Sequence, residues 1–198
     1  MLMGVSKHIL ILLLSFFILE VSAQTQPQLD SANKGRIDIT QKGMYVLGSW
    51  AIANMAYSGY RLTNTEGEQK YFHQFNVMWN TVNIALAAGS LLTNDFETLG
   101  LQKTLAEQHK MEKILLLNMG LDVGYIATGF FLKEKGKTAT NKPERFRGFG
   151  NSLLLQGGFL LAFDGVFYYA LQKHGGKTMD ILSNVQVGFN HIGYRWSF

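Results

Sequence analysis

Residues 114–132 read ILLLNMGLDVGYIATGFFL, an apolar stretch with no Lys, Arg, Glu or Pro. Wound as a helix at 1.5 Å per residue, it approaches the roughly 20 residues needed to cross a hydrocarbon core of about 30 Å. A helix on the surface of a soluble bundle keeps a polar outer face, and Ile114-Leu-Leu-Leu117 leaves no place for one. Three further segments share this character: Gly43–Tyr60, Phe72–Leu92 and Phe149–Leu171. The pattern predicts an all-α fold, a four-span transmembrane helical bundle over residues 43–172.

The composition of the 198 residues agrees. Only 16% are charged, against about 25% in soluble domains. Of the 32 charged residues (18 basic, 14 acidic), only Asp122 and Asp164 lie inside the four segments. The absence of cysteine excludes disulfides, thiolate metal sites and cysteine nucleophiles. A scattered net charge of +4 is no nucleic-acid footprint. No paired-histidine spacing, phosphate loop or nucleophile elbow occurs. The chain is therefore not expected to be an enzyme, nor to hold a metal or cofactor.

Working outward to the N-terminus, residues 1–23 have the form of a signal peptide. Lys7 and His8 precede the apolar run Ile9–Leu19, and Val21-Ser22-Ala23 supplies small residues for cleavage. Residues 24–42 are polar and expected as a loose exported N-terminal segment. Residues 173–198 form an exported C-terminal tail, whose ending Tyr194-Arg-Trp-Ser-Phe198 suggests a short extended piece. Those alternating aromatics also suit the last strand of an outer-membrane barrel. The continuous runs Leu153-Leu154-Leu155 and Phe159–Phe163, however, break the alternation a barrel needs. The loop Thr93–Lys113 reads either as an amphipathic interfacial helix or as a solvated connector.

Arg61–Tyr71 and Lys133–Gly148 are the densest in Lys and Arg. By the positive-inside rule these loops face the cytoplasm. The expectation is a multi-pass protein of the bacterial inner membrane with both mature termini periplasmic.

Polar residues inside the spans are spaced at helical intervals. His73, Asn76, Asn80 and Asn83 fall on one face of their helix, as do Asn118, Asp122, Tyr125 and Gly129. Trp50, Asn54 and Tyr57 mark the first span, and Gly150, Gly157, Asp164 and Tyr168 the fourth. Polar groups facing lipid would lack partners, so four stripes are expected to meet on one axis. Asp122 and Asp164 have no basic residue in any span to neutralise them, and Asn80 or Asn83 is the expected hydrogen-bond partner. His73 is expected near Arg145 and Arg147. The candidate ligand- or proton-binding residues are thus Asp122, Asp164, Asn80, Asn83, Asn54, Asn76, His73 and Tyr125.

The runs Gly43–Trp50, Tyr71–Asn80 and Glu112–Tyr125 resemble a bacterial family of exported four-helix integral membrane proteins, domain of unknown function 6992. Phe72-His-Gln and Leu121-Asp-Val-Gly-Tyr125 are the most specific parts. The resemblance implies a helical membrane fold over about Gly43–Leu171 and supplies no activity. Two functions remain open: a module that binds or moves a small polar ligand or proton, and an accessory subunit whose polar stripes only pack helices. The expected partners are the lipid bilayer and a second copy or another membrane protein, with no nucleic acid.

Overall fold

Four helices follow the four apolar segments and run well past them. In the computed structural model the backbone is described for residues 3–183, 185–188 and 191–194, and side chains for residues 26–179. The helices are α1 (Met3–Leu62), α2 (Gly67–Thr93), α3 (Leu101–Thr138) and α4 (Pro143–Ser183). Side chains of the expected signal peptide and its cleavage site, and residues 195–198, lie outside the described residues. An antiparallel hairpin of β1 (Val185–Gly188) and β2 (His191–Tyr194) follows α4.

Two expectations about connectors are corrected, and a third is decided between its two readings. Residues 26–42 are helical and packed, because Leu29, Asn33, Arg36 and Thr40 recur at helical spacing and are all buried. Of the two readings of 93–113, a helix leading into the third segment holds from Leu101 onward, and residues 94–100 form the connection. The tail is helical to Ser183 before the hairpin begins.

The helices do not meet symmetrically on one axis. α4 is the hub, packed against all three others, whereas the backbones of α2 and α3 nowhere come within 8 Å. Buried positions on α2 fall at His73, Asn76, Asn80, Asn83 and Ala87, spaced three and four apart. Those on α3 include Gln108, Leu115, Asp122, Gly129 and Gly136, each seven apart. A seven-residue period is that of left-handed supercoiled packing. Small residues close the α3–α4 seam: a Cβ on Gly150 would sit 2.7 Å from the Gly129 carbonyl oxygen.

The interior is rich in polar groups. Among the described residues, fifteen polar or charged side chains are buried beside eleven apolar ones. Outward-facing residues include Val46 and Ile52 on α1, Val82 and Leu86 on α2, Leu117 and Phe130 on α3, and Val166 and Tyr169 on α4. Among the described residues two helices, α3 over Leu101–Thr138 and α4 over Pro143–Met179, are long and apolar enough to cross a membrane.

Candidate functional site

The α2 stripe feeds two different arrangements. Asn76 Oδ1 accepts from Ser152 Oγ at 2.7 Å and from Gln156 Nε2 at 2.8 Å. Gln156 Oε1 accepts in turn from Trp50 Nε1 at 3.2 Å. This knot joins α1, α2 and α4, and Asn76, Ser152 and Gln156 are almost wholly buried. Two turns further along α2 the helices separate instead.

There a cavity of about 190 Å³ lies between α2 and α3, with α4 as its floor. Asn83, Asn118, Asp122, Tyr125 and Asp164 supply its polar wall. Tyr125 stands edge-on to Trp79, centroids 4.7 Å apart, bridging α2 and α3. Val82, Leu86 and Leu121 border the cavity and are exposed, so it opens sideways between the two helices.

Asp122 from α3 and Asp164 from α4 line this one cavity, with Asn118 beside them. Both carboxyls are buried, at 3% and 5% exposure, and Asp122 Oδ2 has no partner. Ionised carboxylates only accept, so this pair calls for a proton or a donor. No basic side chain lines the cavity.

Of the expected site residues, the fold brings together Asn83, Asp122, Tyr125 and Asp164. Asn80 stands one step behind: its Nδ2 donates to the Asn76 carbonyl, and its Oδ1 accepts from Asn83 at 3.2 Å. Of the asparagines, Asn83 and Asn118 line the cavity with Asp122 and Asp164, and Asn80 does not. Asn54 donates to the Trp50 carbonyl on its own helix and joins nothing else. His73 pairs with Ser58 Oγ at 3.1 Å, a full three turns from Asn83. Arg147 is engaged elsewhere, with Glu68 at 2.8 Å, and Arg145 lies over the Phe149 ring. Among the described residues no group of three His, Asp or Glu is placed to hold a metal ion.

A second polar centre, at the other end of the bundle, is missed by the sequence reading. Asn33 Nδ2 donates to Thr104 Oγ1 at 3.0 Å, Gln108 Nε2 to the Leu171 carbonyl at 2.7 Å, and His174 Nε2 contacts the Ala32 carbonyl oxygen at 2.8 Å. These bonds tie α1, α3 and α4 beyond the apolar segments. Burial draws the Arg36 guanidinium here below its ordinary range, against the pull of Glu107. The signal was present in the spacing of residues 29–40.

The chain belongs to a family of unknown function (DUF6992), whose model matches residues 46–165. The match takes in every residue of the Asp122–Asp164 cleft and the Asn76 knot, and leaves Asn33 and Arg36 outside it. No curated protein and no solved structure matches the chain.

Proposed function

For this member of the family we propose a four-span membrane protein whose α2–α3 cleft binds a small cationic ligand through Asp122 and Asp164. The observation that carries the reading is Asp122 Oδ2, buried and without a partner on the wall of a cavity that no basic group enters. Apolar side chains face outward on all four helices, which supports insertion of α1 and α2 beside α3 and α4. The His and Asn stripe of α2 lowers its average apolarity without reaching its outer surface.

Cleavage after Ala23 suits the helix that remains. Pro27 would then be the fourth mature residue, in the first turn, where no preceding carbonyl awaits its missing N–H. The basic helix ends around Arg61 and Arg147 support a cytoplasmic position for that side. The cleft then opens toward lipid, and a ligand bearing an ammonium head and a short apolar part fits both wall and rim. The Asn76 knot blocks a path toward the cytoplasmic end, which favours binding over passage through the core.

Melting of the purified protein in mild detergent, titrated with methyl- to octylammonium chloride, tests this. A saturable rise in melting temperature is expected, weakened about tenfold or more in Asp122→Asn, as for loss of one charge-assisted bond. Equal response of the variant would contradict the assignment. The knot itself favours a second reading, in which polar stripes only hold helices together. That reading predicts no alkylammonium response in the parent protein.

A further inference from the structure

At the end of the bundle away from the loops at 63–66 and 139–142, α1, α3 and α4 enclose a separate cavity of about 200 Å³. We propose that this cavity binds a small zwitterion of the free amino-acid class, its carboxylate on Arg36 and its ammonium group on Asn33 Oδ1 and Glu112. The inference is independent of the α2–α3 cleft and of the membrane topology.

Two buried groups on the cavity wall lack the partners their chemistry demands. Asn33 is fully buried, and its Oδ1 accepts nothing. Arg36 is 9% exposed, its Nε donates to nothing, and among the described residues it makes no ion pair. Glu107 attracts it, and Asp95, Glu97 and Glu107 line a second pocket that Arg36 also borders. An arginine in this position stays charged, and its buried Nε–H lacks the acceptor it needs. One orphan is a donor and the other an acceptor, three residues apart on one face of α1.

The remaining wall decides the ligand's charge. Glu112 borders the same cavity, held by Gln108 Nε2 at 2.8 Å and facing His109 Nδ1 at 3.3 Å. A carboxylate offers about four acceptor sites, so Glu112 retains capacity for an ammonium group. A simple anion would answer Arg36 but leave Asn33 Oδ1 empty and meet Glu112. A simple cation would meet Arg36. A zwitterion satisfies all three, and Leu105 and Met179 offer apolar contact for a short side chain. The volume is worth about six or seven waters at roughly 30 Å³ each, enough for a molecule of serine size.

Isothermal titration of the full chain in detergent with glycine and serine, and with acetate and propionate as controls that lack the ammonium group, tests the proposal. Saturable binding of a zwitterion, at least tenfold tighter than either control, is expected. Arg36→Met should weaken it about tenfold or more, and Gly158→Val, at a position with nothing within 4 Å, should leave it unchanged. Should Arg36→Met fail to fold, Glu112→Gln, at a half-buried position, carries the same expectation. Absence of zwitterion binding to the parent protein, binding unchanged in both wall variants, or a cavity filled only by water in a high-resolution map would each overturn it.

Discussion

Asn76 accepts two hydrogen bonds from a neighbouring helix, while Asn54 bonds only to its own. Replacing Asn76 with Ala leaves Ser152 and Gln156 without their acceptor and should cost about 1–3 kcal/mol. Asn54→Ala should stay within about 0.5 kcal/mol. Unfolding of both variants in detergent checks this, and equal losses would show that the knot holds nothing. At this scale the two aspartates were legible, because a carboxylate in an apolar segment stands out. Ser152 and Gln156 were not. α4 was read as having one polar stripe through Gly157 and Asp164, but a hub helix has several faces. Gly157 approaches Asp122 and Ile126 on α3, while Ser152 and Gln156 face α1 and α2.

α4 has 41 residues and as a helix is about 60 Å long, twice the hydrocarbon core. The existence of each helix was legible from apolar runs. Helix ends were not, since a run of charges marks where a helix leaves apolar surroundings rather than where it stops. Lys103 and Glu107 therefore belong to α3 rather than to a loop. What joins α3 to α4 is close backbone approach, and a glycine is required where it is closest. Gly150→Val would drive side-chain carbon into the Gly129 carbonyl and should destabilise by about 1–3 kcal/mol. Gly158→Val on the same helix meets nothing within 4 Å and should have little effect. Thermal unfolding separates the two; comparable losses would mean that the seam is not set by the glycine contact.

Taken whole, the molecule buries Asn, Gln and Asp among its core residues and turns many Leu, Val and Phe outward. In water this would expose a broad apolar surface, whereas in a bilayer both faces are satisfied. The low charge content of the sequence is in line with that apolar surface. It did not foretell that α2 and α3 stand apart, because packing partners depend on which faces of α4 each neighbour takes. That separation creates the cleft that Asp122 and Asp164 line.

The chain contains no cysteine, so single introduced thiols report their side of a membrane without background. The direct test uses Asn64→Cys and Thr140→Cys in the two short connections and Thr98→Cys in the α2–α3 connection. Labelling is with an impermeant thiol reagent on intact spheroplasts. Four spans predict that Thr98→Cys labels at once, and that the other two label only after permeabilisation. Labelling of all three on intact spheroplasts, or recovery of the protein without membranes, would contradict the account.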